Sequence, residues 1–145
     1  MTVMNPARLT LGFAAGFLAT LVCHQPAVAA LGWLGMSSMP AYNLAPTVPF
    51  GVPSVVSLAF WGGIWGAAFA LFANRLPGGS AYWVMTTLLG AALPSLVALL
   101  LVAPLKGGAL GAGWQPGIWL FAAIVNGAWG LGTGFLWWAG RRVIR

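Results

Sequence analysis

No charged side chain lies between Arg8 and Arg75, between Arg75 and Lys106, or between Lys106 and Arg141, and the 145-residue chain contains no Asp and no Glu. A water-exposed surface cannot be built from so few charges: they make up 4% of the chain, against about 25% in an ordinary soluble domain. Lipid must therefore cover most of the exterior. A helix of about 20 apolar residues crosses a hydrocarbon core of roughly 30 Å. Four segments qualify, at about Leu9–Met36, Val52–Asn74, Ala81–Pro104 and Pro116–Ala139. The connections Ser37–Phe50, Leu76–Ser80 and Leu105–Gln115 carry strong turn and breaker signals. The expected fold is an all-α membrane protein, one transmembrane domain over residues 1–145 with four membrane-spanning helices.

The missing carboxylates exclude whole classes of chemistry. Without Asp or Glu there is no paired-carboxylate glycoside chemistry, no Ser-His-Asp triad and no acidic proton relay. No phosphate-loop, zinc-protease or nucleophile-elbow pattern occurs either. The single cysteine, Cys23, allows no intrachain disulfide and no paired-thiol metal site. The chain is expected not to be an enzyme.

The cations set the expected topology. With four spans, Arg8, Arg75, Arg141, Arg142 and Arg145 fall on one side of the membrane and Lys106 alone on the other. The positive-inside rule then places both termini in the cytoplasm of a bacterial inner membrane. A net charge of +6 reads as membrane orientation and contact with anionic headgroups, not as nucleic-acid binding. Tyr82, Trp83, Trp137 and Trp138 are expected at the cytoplasmic interface, Trp33 and Trp114 at the outer one. Arg8, an apolar stretch and Ala27-Val28-Ala29 also have the form of a cleavable secretory signal, whose removal would leave three spans. Because apolar sequence continues through Leu31, Trp33 and Leu34, the segment is expected to remain as a full first span.

An internal duplication is visible. Gly63-Ile64-Trp65-Gly66 recurs as Gly127-Ala128-Trp129-Gly130, and Gly12 to Val22 loosely resembles Gly90 to Leu100, with Pro26 matched by Pro104. The expected architecture is therefore two helical hairpins in parallel orientation, related by an axis along the membrane normal. Gly12 and Gly16, Gly62 and Gly66, and Gly130 and Gly134 are each four apart, which puts small residues on one helix face for close packing. Such stripes serve packing within the bundle or self-association. Trp61, Trp65 and Trp129 lie mid-span, and are expected to fill space beside glycine or to line an aromatic cavity for a flat apolar ligand.

The intramembrane polar set is His24, Gln25, Ser57, Ser95 and Asn126. Pro26 deprives the Val22 carbonyl of its helical donor, and Pro94 that of Gly90. Polar side chains and freed carbonyls at similar depth form either an internal hydrogen-bond cluster or a polar pocket. Both readings of His24 stay open. As an axial ligand to haem or bacteriochlorophyll it has no second histidine to pair with. No metal site and no bound cofactor are otherwise expected.

Pro49-Phe50-Gly51-Val52-Pro53, Ser57 to Gly66, Ala103-Pro104-Leu105-Lys106-Gly107 and Asn126 to Thr133 together resemble a group of small bacterial inner-membrane proteins with no assigned activity. The resemblance covers most of the chain and implies a multi-pass membrane protein without carrying an activity across. The chain does not resemble small multidrug exporters, whose first span needs a glutamate, or cytochromes b with paired haem histidines. The leading expectation is an accessory or scaffolding subunit of a membrane assembly, self-associated or within a larger complex. The alternative is a small oligomeric channel or carrier for a neutral or anionic solute; third is a binder of quinone, carotenoid or chlorophyll-type pigment.

Overall fold

The computed structural model describes residues 5–143, so Arg145 lies outside the described residues. Four helices are long and apolar enough to cross a membrane: Pro6–Trp33, Ser54–Arg75, Ser80–Leu105 and Pro116–Gly140. Lipid offers the backbone no hydrogen bonds, so each span must satisfy its own amides and carbonyls as a helix. The ends follow local chemistry. Asn5 accepts the Ala7 amide through its side chain, and prolines occupy the first turns at Pro6 and Pro116, where a missing N–H costs nothing. Ser54 starts the second span directly after Pro53.

The first and fourth spans form the centre, with the second packed on the first and the third on the fourth. The second and third spans scarcely approach each other. Each hairpin is closed along a seam of small residues. A Cβ at Gly12 would meet the Gly66 carbonyl oxygen at 2.5 Å, and one at Gly16 would meet the Gly66 Cα at 2.9 Å. In the second hairpin a Cβ at Gly90 would meet the Gly130 Cα at 2.5 Å and the Asn126 carbonyl oxygen at 2.7 Å. Gly134 lies against the Thr86 side chain. Five of the six glycines singled out in the sequence thus bring helix backbones of the same chain together, the arrangement small-xxx-small spacing permits, and the sixth, Gly134, makes room for a side chain.

The duplication extends to a backbone irregularity. The first span leaves α geometry for one π turn at Thr20–His24, and the third does so at Ala98–Val102. The displacement between the turns is the one that relates Gly12 to Gly90 and Pro26 to Pro104. In both, the proline follows the turn by two residues, and the amide before it bonds five residues back, Gln25 to Thr20 and Ala103 to Ala98. Proline cannot donate to the preceding turn, and a single π turn is one way a helix accommodates the gap. Biased composition can repeat Gly and Leu by accident, but it does not repeat a register shift.

The two same-side connections differ. Residues 34–53 fold back onto the first hairpin, pinned by a two-residue antiparallel pair, Pro46–Thr47 with Val52–Pro53. The Ser54 amide bonds the Ala45 carbonyl, and the Val55 amide that of Asn43. The other connection makes a left-handed turn at Gly111–Trp114, where φ is positive at four successive residues and glycine relieves only two of them. Trp114 stacks on Trp119 at 5.5 Å with 4° between the planes, and the Trp119 indole donates to the Gly111 carbonyl. At the opposite end Tyr82, Trp83, Trp137 and Trp138 gather around Phe69 and Phe72.

Candidate functional site

The five intramembrane polar residues separate into two pairs and one single residue. His24 and Gln25 close the first π turn and are buried. The His24 Nδ1 and Gln25 Nε2 atoms are 3.3 Å apart, and Gln25 Oε1 accepts the Tyr42 amide at 2.6 Å. Tyr42 belongs to the folded-back connection, and its hydroxyl donates to the Leu21 carbonyl at 2.7 Å. The π register explains this acceptor. Gln25 gives its amide to Thr20, so Leu21 loses its α-helical donor, while the π-register alternative is Pro26, which has no N–H. The sequence placed the freed carbonyl at Val22 by assuming α geometry; the register shift moves the satisfied orphan to Leu21.

The second pair lies in the other hairpin, where the Asn126 amide donates to the Ser95 hydroxyl at 3.0 Å across the third and fourth spans. Ser57 is half-buried and, among the described residues, makes no side-chain hydrogen bond to either pair. The hydrogen bonds thus join His24 to Gln25 and Asn126 to Ser95 without linking the pairs. Cys23, beside them, is half-buried with its sulfur against Gly132. Ala27 and Val28 are inside the helix, Val28 buried with Leu31 and Val125.

The three mid-span tryptophans also divide. Trp61 is 58% exposed toward the lipid-facing side and packs edge-on against Phe60. Trp129 is buried at the centre and donates to the Gly16 carbonyl at 2.9 Å, tying the fourth span to the first. Gly16 also accepts the Thr20 hydroxyl at 3.0 Å, so one carbonyl holds two side-chain donors. Trp65 and Trp129 both line a cleft of about 40 Å³ where the second and third spans stay apart, together with Phe69, Leu93, Pro94 and Thr133. The Thr133 hydroxyl is fully buried there and has no protein partner. The sequence offered no means of finding Thr133, since its isolation depends on how three helices pack.

A larger cavity, of about 290 Å³, opens at the arginine-bearing end between the turn after the second span and the end of the fourth. Asn74, Gly78, Gly79, Trp83, Trp138 and Arg141 are on its walls. None of the five intramembrane polar residues lines either cavity. Among the described residues no group of three His, Cys or acidic side chains could hold a metal ion. No family model matches the chain, no curated protein matches it, and no solved structure matches it.

Proposed function

We propose that the protein is a non-catalytic accessory or scaffolding subunit of a bacterial inner-membrane assembly, with both termini in the cytoplasm. One observation carries this reading: the polar side chains buried within the spans are hydrogen-bonded inside the bundle, the Thr133 hydroxyl and the Trp137 indole excepted. His24 meets Gln25, Gln25 holds Tyr42, Asn126 holds Ser95, and Trp129 and Tyr82 bond the carbonyls of Gly16 and Gly134. Groups that conduct or translocate a solute must exchange partners with it, whereas these fix the bundle's shape. A stable shape with a wide apolar exterior suits a component that other membrane proteins pack against. Leu71, Val84, Leu88, Leu120 and Phe135 are among the large side chains it presents outward.

Native mass spectrometry of the protein extracted from its own membrane in mild detergent tests the proposal. The expected result is a complex of fixed stoichiometry with at least one other polypeptide. A chain released only as monomer or homo-oligomer, and supporting solute flux in liposomes, favours the channel or carrier and defeats the accessory reading. A second reading has its own observation, the cleft holding Trp65, Trp129 and the unpartnered Thr133 hydroxyl. A volume of about 40 Å³ holds a few water-sized groups, at about 10–15 Å³ each. Its lining of Trp65, Phe69, Leu93 and Pro94 suits the end of an acyl or prenyl chain better than a pigment ring. An absorption spectrum of the purified protein above the tryptophan band tests for a quinone or pigment; none is expected.

A further inference from the structure

Arg141 follows the fourth span and lines the 290 Å³ cavity, in a chain that supplies no Asp or Glu to pair with it. Its neighbours on the cavity wall add further donors. Asn74 contributes a side-chain amide that makes no hydrogen bond within the described residues. Gly78 and Gly79 bring the start of the third span to the cavity, and no side chain caps that helix. The Tyr82 amide bonds the Gly79 carbonyl, and among the described residues no acceptor meets the amides of Ser80 and Ala81. Two indole rings, Trp83 and Trp138, form the remaining wall, and Arg142 lies over the Trp138 ring at 4.3 Å. Tyr82 also borders the space, but its hydroxyl is committed to the Gly134 carbonyl. The cavity wall thus carries one cation, Arg141, and one free side-chain amide, Asn74, and the chain's own side chains provide no anion for it. The site lies at the ends of three spans, where lipid headgroups reside, with tryptophans at the level usual for an interfacial belt.

We propose that this cavity binds a phosphate group, held by the Arg141 guanidinium and the Asn74 amide, with the uncapped start of the third span beneath it. The occupant at this depth is the headgroup phosphate of an anionic phospholipid, its acyl chains running down the apolar flank of the third and fourth spans. Basic pockets between spans are suited to such headgroups, and guanidinium binds phosphate oxygens with two parallel N–H bonds. The proposal is independent of the accessory role: a carrier or a scaffold can each keep a bound lipid.

The test uses the full chain in nanodiscs of phosphatidylcholine, with or without phosphatidylglycerol, and native mass spectrometry to count retained lipid. The wild-type protein is expected to keep one phosphatidylglycerol in preference to phosphatidylcholine. Arg141→Gln should lower that preference about fivefold, the effect of one cation at an anionic surface, and Arg141→Lys should restore part of it. Lys106→Gln, at the opposite end, should leave it unchanged. Equal melting temperatures for the variants establish that folding is not the cause. A third arm adds inorganic phosphate to phosphatidylcholine nanodiscs and measures protection of Arg141 from a guanidinium-modifying reagent. Protection by phosphate alone, with no lipid preference, assigns the same site to a soluble phosphate and overturns the lipid occupant. An unchanged preference in Arg141→Gln, or none in the wild type together with no phosphate protection, overturns the site itself.

Discussion

At corresponding positions of the two π turns, Thr20 stands where the other has Ala98, His24 where it has Val102, and Gln25 where it has Ala103; leucine and proline repeat, as Leu21 and Leu99 and as Pro26 and Pro104. The backbone departure is shared and the chemistry is not. The turn therefore belongs to the hairpin plan, set by the proline beyond it, and the polar side chains of the first hairpin serve a separate purpose. Their partners show which. Gln25 and the Leu21 carbonyl both bind Tyr42, so the first turn anchors the folded-back connection of residues 34–53. Among the described residues no side chain reaches the Leu99 carbonyl, and the second connection instead holds itself through the Trp114–Trp119 stack.

The ends of the molecule differ in a related way. With no Asp or Glu to pair with, two of the described arginines lie over indole rings: Arg8 lies 5.6 Å from the Trp137 ring and Arg142 4.3 Å from that of Trp138. Such contacts contribute about 0.5–1 kcal/mol each when exposed. Arg141 and Arg75 make no such ring contact, and of the two only Arg141 lines the cavity proposed to bind a phosphate.

Substitutions in the seams give the largest expected effects and test whether the hairpins are equivalent. Gly66→Leu and Gly130→Leu should each lower stability by about 1–3 kcal/mol or more, because the added side chain meets backbone that cannot move aside. Gly78→Leu, in open space at a turn, should leave the melting temperature in detergent unchanged. Sensitivity in one hairpin alone would break the comparison. Next in size is Gln25→Ala, which leaves the Tyr42 amide without its acceptor at a cost of about 1–3 kcal/mol if water does not replace it. Hydrogen exchange at Tyr42 should accelerate, while the amides of residues 106–115 keep their rates.

Tyr42→Phe should cost less, about 0.5–1.5 kcal/mol, by removing the hydroxyl from the Leu21 carbonyl and making the first turn as bare as the second. The smallest effect is expected for His24→Val, which installs the residue the second hairpin carries. The contact it removes is a 3.3 Å approach between neighbours in sequence, so the melting temperature should move less than in Tyr42→Phe. A larger loss at His24 than at Tyr42 would give the imidazole a role that its one hydrogen bond does not account for.

The sequence was informative where physics acts through composition. Charge-free stretches marked the spans to within a few residues, and the glycine spacing marked faces that do meet other backbones. Matching Gly63 to Gly66 with Gly127 to Gly130 was enough to propose two hairpins. The π turns were not legible, because a shift from i−4 to i−5 bonding leaves no residue signature beyond a proline that α geometry explains equally well. Nor was Tyr42 as the partner of Leu21, which depends on a connection folding back onto its own span. Depth placed His24, Ser57 and Ser95 at one level but does not fix which face of a helix a residue occupies, so the bond of Asn126 to Ser95 was not legible. The cavity at Arg141 draws on three separated segments, Asn74 to Gly79, Trp83 and Trp138 to Arg141, each unremarkable by itself.

Four spans in two parallel hairpins require the connections containing Asn43 and Ala109 to share one side of the membrane and the turn at Gly78 to lie on the other. Single cysteines at these positions, in a Cys23→Ser background, can be probed with a membrane-impermeant maleimide in right-side-out and inverted vesicles. The account predicts that Asn43→Cys and Ala109→Cys label in right-side-out vesicles and that Gly78→Cys labels only in inverted ones. Labelling of Asn43→Cys and Ala109→Cys from opposite sides, or of Gly78→Cys together with either, would contradict the parallel hairpins.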